Sequence, residues 1–460
     1  MTQPEQYDAI IIGVGQSGKP LAIDLAGAGW KTAIIERHYV GGSCINYGCT
    51  PTKTLLASAK LAHQARRSSD YGVDTGDVQV DFTAVIDRKN KVVEQFRQGI
   101  EKKLTSTENL TLIEGEARFS GPKQVTVKGT DGRERTLTAD HIFIDTGTHS
   151  AQPDLPGLDT VDWLTSTTLM DATELPKHLL ILGGGYIGTE FSQMFRRFGS
   201  EVTIIQRGPQ LLNREDPDIA DALTTVLTEE GITVLCNSTA ERVSKTKDGE
   251  IELIIKTEKG TQTLTGTHLL IAIGTAPNTD ALNLTAANIK ANEKGFIPVN
   301  ERLETNQPGI YATGDVTGGP AFTHISYDDY RILRDNLLHN GNRTTAGRPA
   351  PYTVFTDPQL GRIGLSETQA RDQKKNIRVA TMPMTSVARA IEVGETNGLM
   401  NVIIDADTDQ ILGASILGIE GGEIMSMLQL AMMGRLTTHQ LKETIFAHPT
   451  LAEALNNLFA

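Results

Sequence analysis

The feature that most constrains this 460-residue chain is a duplication. Gly13-Val14-Gly15-Gln16-Ser17-Gly18 follows a short β-branched run ending at Ile12 and precedes a segment with helical spacing. Gly183-Gly184-Gly185-Tyr186-Ile187-Gly188 repeats that arrangement after His178–Leu182. A single Gly-x-Gly-x-x-Gly string arises easily from turn glycines. Two copies, each between a strand and a helix, predict two dinucleotide-binding βαβ units. In such a unit the glycines let backbone N–H groups approach a diphosphate at a helix N-terminus, where the dipole favours anions.

The two copies differ in the residue that faces a ribose. Glu36 stands eighteen residues after Gly18, at the end of the next strand, where a carboxylate accepts hydrogen bonds from a ribose diol. Gln206 stands eighteen residues after Gly188 and is followed by Arg207. A neutral side chain followed by a guanidinium suits a 2′-phosphate, so this site is expected to prefer NADPH over NADH, with Arg214 as a further candidate.

Length supports about three domains of ~150 residues. Breaks stand at Gln152-Pro153 through Pro156-Gly157 and at Gly347-Arg348-Pro349-Ala350-Pro351. The expected fold is α/β, with two Rossmann-like domains over 1–150 with 275–347 and over 151–274, and an α+β domain over 348–460. Short strands are expected at Thr32–Ile35, His141–Ile144, Glu201–Ile205 and Leu269–Ile273, and a long helix at Phe82–Leu104. In the tail, strands at Val402–Ile404 and Ile411–Leu417 should precede helices.

Composition narrows the function classes. A formal net charge of −13 argues against a nucleic-acid surface. No apolar run of about 18 residues predicts a membrane span. The N-terminus has neither a basic start nor a small-residue cleavage site, so a cytoplasmic protein is expected.

Three cysteines do not make a disulfide scaffold. Two of them, Cys44 and Cys49, lie close together in Gly41-Gly42-Ser43-Cys44-Ile45-Asn46-Tyr47-Gly48-Cys49-Thr50-Pro51-Thr52-Lys53. As a structural staple, so short a loop would restrict the unfolded chain by only roughly 2 kcal/mol. As a zinc site the pair is half-built, since it has no nearby histidine or second pair, and no metal ligand set is assigned. A reactive pair has a mechanism. Pro51 suits the first turn of a helix, which sets Cys49 at the positive end, where a thiolate is stabilised. Cys236, in Thr233-Val234-Leu235-Cys236, reads as a buried core thiol.

Together these motifs resemble the pyridine nucleotide-disulfide oxidoreductases, which include glutathione reductase, dihydrolipoamide dehydrogenase and mercuric reductase. Tyr311-Ala312-Thr313-Gly314-Asp315 and His448-Pro449-Thr450-Leu451-Ala452-Glu453 extend the resemblance over nearly the whole chain. It implies FAD on the first unit, held by Gly13, Gly15, Gly18, Glu36, Gly42, Ser43, Lys53, Thr146, Gly147 and Asp315. It implies NADPH on the second, held by Gly183, Gly185, Tyr186, Ile187, Gly188, Gln206, Arg207 and Gly274. It also implies a redox-active disulfide Cys44–Cys49, with Cys49 toward the flavin and Cys44 attacking substrate. Lys53 would approach the flavin and pair with Glu190, and Tyr186 would cover the nicotinamide. The tail would form a homodimer interface, where His448 and Glu453 serve the other subunit's disulfide as acid and base. Histidine suits that role, because a leaving thiolate needs a proton near neutral pH.

The resemblance also bears on substrate. Gln206-Arg207 and Asn213-Arg214-Glu215-Asp216 are mercuric-reductase-like, but the chain ends at Ala460 without that enzyme's vicinal cysteines and carries His448 where it carries tyrosine. A soft metal needs several thiolates. Phe322-Thr323-His324-Ile325-Ser326-Tyr327-Asp328-Asp329-Tyr330-Arg331 resembles the mercuric-reductase-like flavoproteins of bacterial reactive-chlorine resistance, which are linked to copper reduction. The expected activity is reduction of a small disulfide by NADPH through FAD. A mercury- or copper-type metal-ion reductase is the alternative within enzymes. A flavin-bound redox sensor without turnover is the alternative outside them, although it would not need a second dinucleotide site. A flavin oxidase or NADH peroxidase would need a single redox cysteine. His324 reads as a helix-start histidine, with a metal-binding role as its alternative.

Overall fold

The computed structural model describes residues 3–460 and is mixed α/β. The chain divides into two compact units. Unit 1 takes the residues up to Thr54, Ala84–Ala151 and Gly274–Arg348; unit 2 takes Leu55–Thr83, Gln152–Ile273 and Pro349–Ala460.

Unit 1 is built from β1 (Glu5–Ile12), α1 (Gly18–Gly27), β2 (Thr32–Glu36), α2 (Gly42–Asn46), the start of α3 (Cys49–Arg66), α4 (Phe82–Thr105), β3 (Leu110–Gly121), β4 (Gln124–Gly129) and β5 (Glu134–Ile144). Its parallel sheet runs β3–β2–β1–β5, with Ile310–Ala312 on the far side of β5. Strands covered on both faces need near-continuous apolar sequence, and Ala9–Ile12 and Ala33–Ile35 are buried throughout. The outer parts of β3 and β5 leave the parallel sheet and pair antiparallel with β4.

Unit 2 repeats the parallel order. His178–Leu182 is central, with Glu201–Ile205 and Thr233–Leu235 on one side and His268–Ile271 and Trp163–Leu164 on the other. The repeat holds at the level of single bonds. Gly13 N–H donates to Ile35 O at 2.9 Å, and Gly183 N–H donates to Ile205 O at 2.9 Å. Asp145 N–H donates to Ile12 O at 2.8 Å, and Ala272 N–H donates to Leu182 O at 2.8 Å. The rest of unit 2 includes a five-stranded antiparallel sheet from Tyr352 to Gly418, against which the helix Gly421–Met433 buries Ile424, Met425 and Leu428.

Three local readings change. The helix expected near Pro51 begins at Cys49, because its first N–H groups have no intrahelical partner and a proline at the third position costs nothing. The strand expected to reach Ile273 ends at Ile271. In the tail, His448–Glu453 lies outside the helices, between Thr438–Lys442 and Ala454–Leu458.

Candidate active site

The first glycine loop is closely enclosed. Gly13 has φ +102°, and a Cβ there would lie 2.3 Å from Asp145 O, so only glycine fits. A Cβ on Gly15 would lie 2.5 Å from Asp145 Oδ2. Asp145 Oδ2 accepts from Gly18 N–H at 2.7 Å, at the start of α1. Burial pushes the Asp145 carboxyl well above the usual range; the Gly18 bond opposes this, and the charges of Asp315 and Asp329 reinforce it. Sequence reading passed over Asp145. Its one signal was an acid at the end of a buried apolar strand, directly before Thr146-Gly147. Glu36 braces the same loop: Oε2 accepts from Val14 N–H at 3.1 Å and Oε1 from His38 N–H at 2.9 Å.

The surroundings fit a dinucleotide. The hydroxyls of Ser17, Thr146 and Thr313 are buried and lack a hydrogen-bond partner within the protein. A polar ligand on the glycine loop would satisfy groups that otherwise carry a desolvation cost. Asp315 is half-buried, raised by burial and eased by a long contact of 3.5 Å from Thr148 Oγ1. Asp329 is structural: it accepts from Gly314 N–H at 2.8 Å and pairs with Arg348 at 2.5 Å. Tyr330 OH donates to Asp24 at 2.6 Å, tying the helix Thr323–Leu338 to α1.

The second loop has a similar backbone but different supports. A Cβ on Gly188 would lie 2.0 Å from Gly183 O, whereas one on Gly185 would meet nothing within 4 Å. Gln206 is buried. Its Oε1 accepts from Gly184 N–H at 3.0 Å, and its Nε2 donates to Gln210 O at 3.1 Å and Asn213 Oδ1 at 3.0 Å. Arg207, Arg214 and Tyr186 are exposed, and Ile187 lies in the first turn of the helix Tyr186–Phe198. Gly274, at φ +123°, opens the third segment of unit 1, where its carbonyl accepts from Ala151 N–H at 2.9 Å.

The thiols lie in unit 1. Two left-handed glycines, Gly41 at φ +106° and Gly42 at φ +63°, turn the chain into α2, which carries Ser43 and Cys44. Cys49 is the first residue of α3, and Lys53 lies one turn on. Cys44 is half-buried and Cys49 exposed. The Cys44 thiol donates to the Cys49 sulfur and brings it down to about 6. Burial opposes this, while the Thr323 hydroxyl, 3.2 Å away, and the Lys53 ammonium assist. The same bond, then burial and the Cys49 charge, push the Cys44 thiol up. The pair is therefore unequal, with Cys49 the more acidic thiol. Thr323 has no local sequence signal for a role; its place at the start of the helix Thr323–Leu338 puts its hydroxyl on the sulfur. His324 follows it, its ring stacked on Phe322 at 5.5 Å.

Unit 2 holds the other expected groups. Glu190 is buried and accepts from Phe355 N–H at 2.8 Å. One face of its helix is fastened to the same segment. Gln193 exchanges two 2.8 Å bonds with the Asp357 backbone, and Arg197 pairs with Asp357 and Glu230, each at 2.7 Å. Burial works against an ionised Asp357, yet Arg197 and Lys60 hold its carboxyl below the usual range. His448 is exposed, with Nδ1 at 2.9 Å from Glu453 Oε2. Leu430, Met433 and Ile445 are apolar and exposed in the same C-terminal region. Cys236, expected in the core, is half-buried just beyond the edge strand Thr233–Leu235; burial raises its thiol.

Among the described residues no helix is long and apolar enough to cross a membrane. Residues 7–329 match the pyridine nucleotide-disulphide oxidoreductase family, and residues 350–459 match its dimerisation domain. The chain is 40% identical over 459 residues to the probable pyridine nucleotide-disulfide oxidoreductase RclA of Escherichia coli K12, covering 99% of each. It is 36% identical to a mercuric reductase of Lysinibacillus sphaericus, covering 98% of this chain and 82% of that protein. The solved Cu(II) complex of the HOCl-induced flavoprotein disulfide reductase RclA from E. coli superposes with a TM-score of 0.91 at 40% identity, covering 99% of each chain. With its two glycine loops, its polarised thiol pair and these likenesses along its whole length, the chain belongs to the pyridine nucleotide-disulphide oxidoreductase family of flavoprotein disulfide reductases.

Proposed function

We propose that the protein is an NADPH-dependent, homodimeric reductase of small disulfides. The observation that carries the reading is the pair of thiols at two successive helix starts of unit 1, with the Thr323 hydroxyl 3.2 Å from the Cys49 sulfur and Cys49 the more acidic of the two. FAD, when bound, relays two electrons from the nicotinamide to the Cys44–Cys49 disulfide. Gly13, Gly15, Gly18, Thr146, Thr313 and Asp315 would hold it, and Lys53 would face its reacting edge. Gly183, Gly188, Gln206 and Arg207 would hold the NADPH.

The remaining steps belong to this chain's residues. Cys44, once deprotonated, attacks one sulfur of the substrate disulfide. A Cys44–substrate bond forms, the substrate S–S bond breaks, and the first product leaves as a thiolate. His448 of the second copy, oriented by Glu453, takes the Cys44 proton and returns it to that thiolate. The Cys49 thiolate then attacks Cys44, which restores the disulfide and releases the second product as a thiolate that takes a proton from water. The exposed Leu430, Met433 and Ile445 support a homodimer that would bring His448 to the other copy's thiols.

A second reading, reduction of a metal ion by the same thiols, is favoured by one observation: the solved RclA complex of E. coli contains Cu(II). Anaerobic NADPH oxidation by the yellow protein with small disulfides, Hg(II) or Cu(II) separates the two. Disulfide turnover that vanishes in Cys44→Ser supports the first. Turnover with metal ions alone overturns it.

A further inference from the structure

The helix Thr323–Leu338 buries a carboxylate among mostly apolar neighbours. Asp329 is 1% exposed and shares the buried face with Ile325, Tyr330, Ile332 and Leu333. An ionised carboxyl there carries a desolvation cost that an apolar side chain of similar size would avoid. Its two oxygens serve different partners. Oδ2 accepts from Gly314 N–H at 2.8 Å, and Oδ1 pairs with Arg348 at 2.5 Å. Burial raises the carboxyl, and the Gly314 bond and then Arg348 oppose that rise.

Gly314 opens the short turn Gly314–Thr317, in which Asp315 is the second residue, and it has φ +66°. The first N–H of such a turn finds no partner inside it. A side chain at this position has no room: a Cβ on Gly314 would lie 2.9 Å from Ser326 Oγ and 3.3 Å from Asp145 Oδ1. The glycine is therefore packed between the helix and the acid beneath the first glycine loop, and Asp329 holds it by its amide. Thr313, whose buried hydroxyl lacks a partner within the protein, stands just before it.

The acids of the helix are clamped by the segment that returns after it. Arg348 also reaches Asp328 at 3.5 Å, and Arg343 pairs with Asp328 at 2.9 Å and with Asp335 at 3.0 Å. About 9 Å of helix before Asp329, its first residue, Thr323, sets its hydroxyl 3.2 Å from the Cys49 sulfur. One helix therefore touches both the turn that carries Asp315 and the thiol.

We propose that Asp329, held by Arg348, is a positioning residue for two groups at once: it fixes the Gly314 turn that presents Asp315 to the flavin, and it sets the helix register that lays Thr323 against Cys49. Neither role depends on the substrate, so the proposal stands or falls apart from the disulfide-reductase reading.

The test uses the purified holoprotein and two readouts. One is the rate of FAD release on dilution, followed by flavin fluorescence. The other is the pH dependence of iodoacetamide labelling at Cys49 after reduction by NADPH, localised by peptide mass spectrometry. Asp329→Leu should release FAD about tenfold faster, because a buried N–H loses its acceptor. It should also raise the Cys49 midpoint from about 6 by about half a unit, as the Thr323 hydroxyl moves off. Asp329→Asn keeps an acceptor for Gly314 N–H and should bring FAD release back to within about threefold of the parent. Tyr330→Phe removes a bond from the same helix to Asp24 but leaves Asp329 in place, and should move neither readout. An unchanged value of either readout in Asp329→Leu, or an equal change in Tyr330→Phe, overturns the proposal. Where Asp329→Leu does not fold, Arg348→Met takes its place. Both readouts should then move in the same directions by smaller factors and return in Arg348→Lys, and unchanged values overturn the proposal likewise.

Discussion

The two glycine loops hang from matching strand registers, yet one is braced by charge and the other by neutral groups. Beneath the first stands Asp145, beneath the second Ala272, at the same backbone position after the same bond. At the end of the second strand Glu36 accepts from Val14 N–H, and Gln206 accepts from Gly184 N–H. In both units that side chain ties down the amide of the loop's second residue, so the bond is scaffold. What differs is the charge left to meet a ligand. The first loop offers carboxylates; the second offers an amide with Arg207 beside it. A single duplicated frame thus supports two nucleotide chemistries, and the lesson is that register repeats more faithfully than the side chains inserted into it.

The largest expected contrast is steric. Gly15→Ala forces a methyl onto Asp145 and should cost about 2–3 kcal/mol, with loss of bound flavin on gel filtration. Gly185→Ala, at the matching place in the second loop, should stay within about 0.5 kcal/mol in denaturant unfolding. Equal effects would break the comparison. Coenzyme choice comes next. Gln206→Glu keeps an acceptor for Gly184 N–H while restoring the acid, and should lower the NADPH:NADH ratio of kcat/KM by about tenfold. A ratio that does not move would show that Gln206 is scaffold alone.

A smaller effect concerns the thiolate that follows only the first loop. Thr323→Val removes the hydroxyl at 3.2 Å from Cys49 and should raise its titration from about 6 by about one unit, read from the pH dependence of iodoacetamide labelling. A last effect, spread over pH, is linkage at Asp145. Its folded carboxyl is raised above an unfolded value of about 3.9, so the folded protein keeps a proton that the unfolded chain has released. Stability should fall as pH rises from about 4 through the folded value, by up to about 1.4 kcal/mol per pH unit for this group. Asp145→Asn should remove that share, while Asp315 and Asp329, also raised, keep theirs. An unchanged slope between pH 4 and 7 would mean that the carboxyl titrates elsewhere.

Much of this was legible from local pattern. Gly13, Gly15, Gly18, Glu36 and their counterparts Gly183, Gly185, Gly188, Gln206 act over one strand–turn–helix, so their spacing alone predicts the geometry. Cys44, Cys49 and Lys53 likewise fall on two successive helix starts. Other roles were invisible because their partners are far away in sequence. Asp145 meets Gly18 across 127 positions, and Cys49 meets Thr323 across 274.

By itself, the sequence determined that this protein has two dinucleotide units and a reactive cysteine pair, because glycine clearance, strand–helix spacing and a proline in a first helical turn act over short range. Only the tertiary structure decided which acid lies buried beneath the first glycine loop and which hydroxyl reaches the Cys49 sulfur. Each of these depends on burial and on charges brought together by the packing of segments far apart in the chain.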